Sequence, residues 1–105
     1  MTRLKIEISV PESHTVVVIE ALHAAGAGRV GKYTRCSSIW KVSGNWQALP
    51  GTQPYDGEVG VVQHSEECRI ESVCDADQAG AVQQAVRDAR PYEQAAIHFL
   101  PLCEP

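Results

Sequence analysis

The chain has 105 residues, 44% of them hydrophobic and 21% charged, which is typical of one soluble globular domain and excludes a disordered protein. Its net charge is −4 and its basic residues are scattered, apart from Arg29, Lys32 and Arg35, which argues against a nucleic-acid-binding surface. No apolar run approaches the roughly 20 residues that span a bilayer, and the N-terminus lacks the apolar core of a signal peptide, so we expect a cytoplasmic protein without a membrane partner.

The first half of the chain predicts a strand, a helix and a second strand. Apolar and polar residues alternate over residues 4–10, which is the period of a strand with one buried face. Over residues 12–25 the apolar positions follow a helical stripe, and Gly26 can end this helix by adopting a positive φ. Residues 33–42 are rich in strand-forming types, and residues 43–45 (Ser-Gly-Asn) then predict a turn.

The second half predicts strand, helix and strand after an irregular stretch. Residues 43–60 are rich in glycine and proline, and a loop of this length in a small domain is more often functional or oligomer-forming than idle. Residues 59–62 and 67–73 have strand character, with a break predicted near residues 64–66. Asp75 can cap a second helix, whose apolar stripe runs over residues 79–89. Alternation at residues 97–100 predicts the last strand.

This order of elements is the split βαβ pattern of ferredoxin-like α+β domains, βαββαβ. Right-handed crossovers would place both helices on one face of a four-stranded antiparallel sheet. The other face must then be solvated, covered by the long loop at about residues 43–60, or buried against another subunit. We therefore expect a single domain over residues 1–105 with one sheet face left uncovered by its helices.

The residues that could bind a metal or act as nucleophiles show no recognised spacing. The four cysteines contain no CxxC pair, so we expect reduced thiols. His98 and Cys103 are weak metal candidates, since surface histidines and core thiols are the more common explanation. Cys36 beside Arg35 would need a nearby base to act as a nucleophile. We predict no catalytic residues, and an active site between subunits that uses Cys36, Tyr92 and Glu93 is the alternative.

Three short segments are candidates for ligand or subunit contacts. Residues 26–31 look like a phosphate-binding GxGxxG, but they follow a helix and precede a strand, so we interpret them as a helix cap and turn. A backbone anion nest is the less common alternative there. Pro91-Tyr92-Glu93 either ends the second helix or contacts a neighbouring subunit or ligand. Trp40 and Trp46 flank the predicted turn and either pack across the hairpin or mark a contact surface.

Four segments of the sequence share a family pattern. They read VPESH at residues 10–14, AAGAGRVGKYTRCS at 24–37, GEVG at 57–60 and PYEQ at 91–94. In order and spacing they resemble the inserted domain of the Nif-three-like (YqfO) family, with its pattern VPESH, AAGAGRIGNYDHCS, GEVG and HPYEEPAYDVYPL. That inserted domain is similar to CutA and PII-like proteins, which are ferredoxin-like trimers. The resemblance implies the fold predicted above and a homo-oligomer, with a trimer favoured.

This sequence departs from the family pattern in two ways, and each limits the activity or ligand contacts that the resemblance implies. Full-length family members bind two metal ions through flanking segments that this sequence lacks, so neither a dinuclear site nor hydrolase or cyclohydrolase activity is implied. Arg90 and Thr34-Arg35 stand where the family pattern has His and Asp-His, so any ligand contact made by those histidines is not expected here.

The sequence leads to one functional hypothesis and one alternative. We expect a non-enzymatic regulatory, ligand-sensing or assembly module of PII/CutA-like type, oligomeric and without a required cofactor. The alternative is a CutA-like protein that binds a divalent metal at a site assembled across subunits. The residues expected at a ligand site or interface are Gly28, Arg29, Tyr33, Arg35, Cys36, Tyr92 and Glu93.

Overall fold

The computed structural model describes residues 2–52, 58–90 and 96–103, which form one four-stranded sheet and two helices. The elements are β1 (Arg3–Pro11), α1 (Thr15–Ala24), β2 (Ser38–Gln47), β3 (Val62–Asp75), α2 (Ala79–Ala89) and β4 (Ile97–Pro101). The sheet order is β2-β3-β1-β4 and every neighbouring pair is antiparallel, so the ferredoxin-like α+β prediction is confirmed. Over the residues described, no helix is long and apolar enough to cross a bilayer.

Both helices pack against one face of the sheet, which we call the covered face. Its strand residues lie in register, with Ile8 opposite both Ile70 and Ile97. The fully buried aliphatic side chains come from strands and helices alike: Ile6, Ile8, Val10, Val18, Leu22, Ile70, Val82 and Val86. Burying each such side chain stabilises the fold by about 1.5–3 kcal/mol, so this face holds the domain together.

The ends of the helices follow from local sequence. Gly26, at φ +103°, ends α1 because its N–H donates to His23 O at 3.0 Å while the Ala27 N–H reaches Leu22 O at 3.3 Å. A single 3-10 turn precedes α2, and the Asp75 N–H there donates to Gln78 Oε1 at 2.9 Å. Both boundaries agree with the prediction.

The predicted positions of β2 and of the following turn are wrong. β2 spans Ser38–Gln47, so residues 43–45 lie within the strand. Gly44 permits this because a Cβ there would lie 2.5 Å from Glu67 Oε1, whose side chain covers the strand at that point. β3 is continuous over 14 residues, so the predicted break at residues 64–66 is also wrong. Those residues pair with β2.

The corrected strands form a long hairpin that we call the arm, made of residues 42–47 and 62–67. No side chain of the arm is fully buried. The molecule is correspondingly elongated, with a longest axis of 46 Å against 25 and 23 Å for the others. The arm therefore projects both of its faces into solvent in the single chain.

Candidate functional site

A groove of about 600 Å³ opens beside β3 at the end of the sheet opposite the arm. Its lining includes Lys5, Tyr33, Cys36, Glu71, Val73 and Leu102. Aliphatic, aromatic, hydroxyl, thiol and charged groups thus meet in one concave surface. A few polar groups converging among apolar ones are typical of small-molecule sites.

The segment that forms one wall of the groove is tied to the edge of β3. The Gly28 N–H donates to Val73 O at 2.7 Å, and the Cys36 N–H donates to Gly28 O at 2.8 Å. The Ser72 hydroxyl then donates to Cys36 O at 2.7 Å. A Cβ at Gly28 would lie 2.6 Å from the His23 ring, so only glycine fits this close approach.

A tight turn projects from this wall. Val30 and Tyr33 exchange two backbone hydrogen bonds of 2.9 Å, with Gly31 at φ +57° between them. A glycine at the first central position of a two-residue turn supplies this backbone geometry. The turn presents the Lys32 and Tyr33 side chains to solvent, and Tyr33 is 76% exposed.

Arg35 has an unusual backbone conformation next to the groove. Its φ of +60° is the only positive value at a non-glycine position within the part of the chain that the structure describes. The left-handed region costs roughly 1–2 kcal/mol for an L-residue. The Arg35 side chain forms an ion pair with Glu20 of α1, and this hydrogen bond lowers the pKa of the Glu20 carboxyl. The wall is therefore fixed to α1 as well as to β3.

The sheet face away from the helices, which we call the open face, carries a network of charges. Lys5 Nζ lies 2.9 Å from Glu71 Oε2 and 3.6 Å from Glu7 Oε1. Glu7 also lies 3.6 Å from an Arg69 nitrogen. The hydrogen bond with Glu71 raises the pKa of Lys5 above the usual value for lysine, so its ammonium stays charged at neutral pH.

Both tryptophans also lie on the open face. Trp40 stands opposite Arg69 and Trp46 opposite Gln63, so both point away from the helices along the same strand. The idea that they pack across a hairpin is wrong, because residues 43–45 form no turn. Trp40 is 41% exposed, which makes it the largest apolar group available on this face of the sheet proper.

The glycine run at residues 26–31 acts as a cap and turn, as interpreted from the sequence. The amides of Gly26, Ala27, Gly28 and Val30 all donate to carbonyl oxygens of the chain. These four amides are consequently not available to an anion, which argues against the nest alternative.

Neither metal candidate lines the groove. His98 stands opposite Glu7 on the open face, and the exposed Cys103 follows β4. Among residues 2–52, 58–90 and 96–103 there is no group of three or more His, Cys, Asp or Glu side chains that could hold a metal ion. Burial raises the pKa of the Cys74 thiol, which keeps it protonated.

The structure brings together part of the predicted site. Tyr33, Arg35 and Cys36 line the groove, and Gly28 supports its wall. Arg29 lies in the same segment, and its carbonyl oxygen accepts a hydrogen bond from Arg3 at 2.5 Å. Tyr92 and Glu93 lie outside the described residues, so their role stays a prediction. Sequence reasoning missed Lys5 and Glu71, because only strand register shows that they meet.

The sequence of this chain is similar to part of several curated proteins. No family model matches the chain. A GTP cyclohydrolase 1 type 2 homolog of Halalkalibacterium halodurans is 37% identical over 98 residues, covering 93% of this chain and 26% of the relative. A protein of the same name from Mycobacterium leprae is 38% identical over 100 residues, with the same shares. The chain thus spans about a quarter of the length of the curated relatives it matches.

Three solved structures resemble this chain, one in both sequence and fold and two in fold. A Bacillus cereus protein related to NIF3 matches with a TM-score of 0.86 and 31% identity, covering 98% of this chain and 26% of that chain. The periplasmic divalent cation tolerance protein CutA from Archaeoglobus fulgidus matches with a TM-score of 0.73 and 13% identity, covering 98% and 86%. B. subtilis GlnK matches with a TM-score of 0.66 and 15% identity, covering 97% and 86%. The last two likenesses concern the fold alone.

Proposed function

We propose that this chain, which belongs to the Nif-three-like (YqfO) family, is a CutA/PII-like assembly module. It corresponds to about a quarter of the length of the family members that it matches. In this proposal the chain associates with copies of itself through the open face and binds a small molecule in the groove. Its role is regulatory and not catalytic, and it is exerted in the cytoplasm.

The open face is the observation that carries this proposal. Two helices cover one face of the sheet, while the other presents Trp40 and Trp46 among the charged side chains. Tryptophan is enriched at the centres of protein interfaces, where it contributes much of the binding energy. β2 is moreover an edge strand of 10 residues, and edges of this length are normally covered or blocked in soluble proteins. Association between copies would satisfy both features.

The groove supports the ligand-binding part. It lies where the open face meets the wall formed by residues 28–37, so a bound molecule would contact groups close to the proposed interface. In the groove, Lys5 and Glu71 offer one cationic and one anionic group to a ligand. Binding there would couple to association, because ligands that prefer the assembled state stabilise it.

The chemistry of the groove favours binding over catalysis. A nucleophilic thiol needs a base within hydrogen-bond reach. Among the described residues, the hydrogen-bond contact of the Cys36 thiol is with Thr34 O at 3.9 Å. Lys5 and Glu71 are already paired with each other at 2.9 Å. This arrangement suits recognition of a polar molecule better than proton transfer to one.

Replacing Trp40 by alanine tests the proposal. Wild type should sediment as an oligomer, a trimer giving three times the chain mass of 11.4 kDa. Trp40→Ala should weaken association about 30-fold, the effect expected for removal of a central interface tryptophan. Val16→Ala is the matched control, because Val16 is a highly exposed apolar residue on the outer side of α1. Wild type that stays monomeric at high concentration, or a Trp40 variant that associates like the control, would contradict the proposal.

A second candidate is divalent-cation binding at a site shared by subunits. The pair His98 and Glu7 favours it, since the two residues stand opposite each other on the open face. Association through that face would bring several such pairs together, and imidazole with carboxylate suits Zn(II) or Cu(II). Calorimetry with Cu(II), Zn(II) and Ni(II) on reduced protein tests it. Binding that disappears in His98→Ala supports this candidate, and the absence of binding to wild type removes it.

A further inference from the structure

The groove contains two charges of opposite sign side by side. Lys5 of β1 and Glu71 of β3 both line it, and Lys5 Nζ lies 2.9 Å from Glu71 Oε2. Because Lys5 pairs directly with Val73, Glu71 is its diagonal neighbour on the same face of the sheet. The position of this ion pair is therefore set by strand register and does not depend on a loop.

The ion pair can accept a further charged partner. The side chains of Lys5 and Glu71 are 35% and 26% exposed, so solvent or a ligand reaches both of them. A lysine ammonium has three N–H donors, and a carboxylate accepts through two oxygens. Among the residues that the structure describes, the ion pair of Glu71 uses Oε2, which leaves Oε1 for a ligand. Each group can thus bind a ligand without leaving its partner.

The charges around this pair are balanced. Lys5 also lies 3.6 Å from Glu7, and Glu7 lies 3.6 Å from an Arg69 nitrogen. Two cations therefore alternate with two anions along the open face. A ligand with one net charge would meet a like charge beside every opposite one, which disfavours it. A ligand that carries one positive and one negative group avoids this repulsion when it lies antiparallel to the pair.

The spacing of the pair selects one kind of zwitterion. By standard N–Cα and Cα–C bond lengths, an ammonium nitrogen and a carboxylate oxygen on the same carbon lie about 3 Å apart. The distance between Lys5 Nζ and Glu71 Oε2 is 2.9 Å. The carboxylate of an α-amino acid can therefore contact Lys5 while its ammonium contacts Glu71. Charge-assisted hydrogen bonds of this kind are roughly twice as strong as neutral ones.

The rest of the groove offers aliphatic and hydroxyl groups to such a ligand. Val30, Val73 and Leu102 are the aliphatic residues of the lining, and Val30 is 49% exposed. An apolar ligand side chain that covers them removes apolar surface from water, which is favourable. Ser37 and Ser38 also line the groove, and their hydroxyls can both donate and accept hydrogen bonds. A volume of about 600 Å³ is ample for a ligand of this size.

We infer that the groove binds an α-amino acid with an apolar side chain in its zwitterionic form. This inference rests on the ligand-binding part of the function proposed above. In the complex, Lys5 donates to the ligand carboxylate and Glu71 accepts from the ligand ammonium. The ligand side chain packs against Val30, Val73 and Leu102. Recognition therefore depends on two opposite charges that only the pairing of β1 with β3 brings together.

Ligands that differ by one charged group test the inference. L-leucine, isocaproate and isoamylamine share an aliphatic end, but isocaproate lacks the ammonium and isoamylamine lacks the carboxylate. Titration calorimetry with wild type should show L-leucine binding about tenfold more tightly than either analogue, because each analogue loses one charge-assisted contact. Glycine carries both charges without the side chain and should also bind more weakly than L-leucine.

Variants of the pair should exchange the preference between the two analogues. Lys5→Met should weaken L-leucine binding about tenfold and favour isoamylamine, because the Glu71 carboxylate is left to pair with an ammonium. Glu71→Gln should favour isocaproate, because the Lys5 ammonium is released. Lys5→Arg keeps the charge and should retain most of the affinity for L-leucine. An altered groove shape alone would not reverse the preference in opposite directions.

A second ion pair provides matched controls. Lys41 lies 3.4 Å from Glu12, and neither residue lines the groove. Lys41→Met and Glu12→Gln make the same chemical changes as the groove variants and should leave the binding of all four ligands unchanged. Circular dichroism confirms that each variant is folded.

The outcomes separate this inference from the function proposed above. The exchange of preference supports the zwitterion site. Wild type that binds isocaproate or isoamylamine as tightly as L-leucine overturns it, as do Lys5 and Glu71 variants that behave like the controls, and the groove still stands as a ligand site. Wild type that binds none of the four ligands also overturns it. Sedimentation of wild type and Trp40→Ala without added ligand tests the assembly proposal independently of all these results.

Discussion

The two faces of the sheet are built from the same strands, yet they differ completely in chemistry. Along β1, Ile6, Ile8 and Val10 enter the covered face and are fully buried. Lys5 and Glu7, which alternate with these residues along the strand, form ion pairs on the open face. A shift of one residue in register would exchange the two sets, so the hydrophobic pattern that builds the core also determines which charges face a partner.

The covered face should determine the stability of the fold, and the open face should determine association between copies. The covered face buries aliphatic side chains that have no polar atoms to satisfy. The open face carries partly exposed ion pairs, which contribute little to stability because solvent screens them. Changes on the covered face should therefore alter the free energy of unfolding, whereas changes on the open face should alter binding between copies.

The largest expected effect is that of a cavity on the covered face. Ile70→Ala should lower the free energy of unfolding by about 2–5 kcal/mol, because a fully buried isoleucine would leave an unfilled space. Ile39→Ala is a matched control, since Ile39 is the cross-strand neighbour of Ile70 and is 47% exposed. Urea unfolding followed by circular dichroism measures both. Equal losses would show that the covered face extends further onto β2 than the structure indicates.

A smaller effect is expected where the groove wall meets α1. Gly28→Ala should lower the free energy of unfolding by about 2 kcal/mol, because its φ of +94° disfavours alanine and the new methyl would meet the His23 ring. Gly31→Ala changes the same residue type at φ +57° with no atom within 4 Å of the added carbon, so only the backbone cost remains. If both variants lower the free energy of unfolding equally, the close contact of Gly28 with the His23 ring of α1 contributes nothing to stability.

The smallest effect concerns the ion pair of Lys5 on the open face. Because Glu71 raises the pKa of Lys5, the pair stabilises the folded state fully below the usual lysine pKa and loses that contribution as the pH rises through the raised value. The stability difference between wild type and Lys5→Met should therefore shrink between about pH 9 and about pH 12. Lys41→Met, at the more exposed pair with Glu12, is the control and should show a smaller difference. A difference that grows with pH would contradict this account.

An element of this fold is predictable from sequence when one of its faces is buried. Alternation in β1 and the stripe of α2 were readable because one face of each element is buried. β2 was misplaced because none of its residues is buried, so its composition alone had to locate it. The sequence predicts a turn at Gly44, whereas in the structure its lack of a side chain makes room for Glu67 within a strand. Exposed strands leave a weaker pattern, since both of their faces tolerate polar residues.

The candidate site was predictable only in part. Tyr33, Arg35 and Cys36 lie in one continuous segment, so local sequence was enough to select them. Lys5 and Glu71 come from different strands and meet only through the pairing of β1 with β3. No local pattern reports on a contact between residues so far apart in the chain. The strand pairing must be known before the groove can be assembled.

The central position of β1 has a consequence for how the chain folds. Its neighbours in the sheet are β3 and β4, and the contact of Arg3 with Asp75 joins residues 72 positions apart. The first strand of the domain therefore pairs with both partners only after most of the domain has been synthesised. Non-local pairing of this kind slows folding and leaves an apolar strand unpaired in the interval. This domain should consequently fold late and all at once, with Ile6, Ile8 and Val10 exposed until their partner strands are in place.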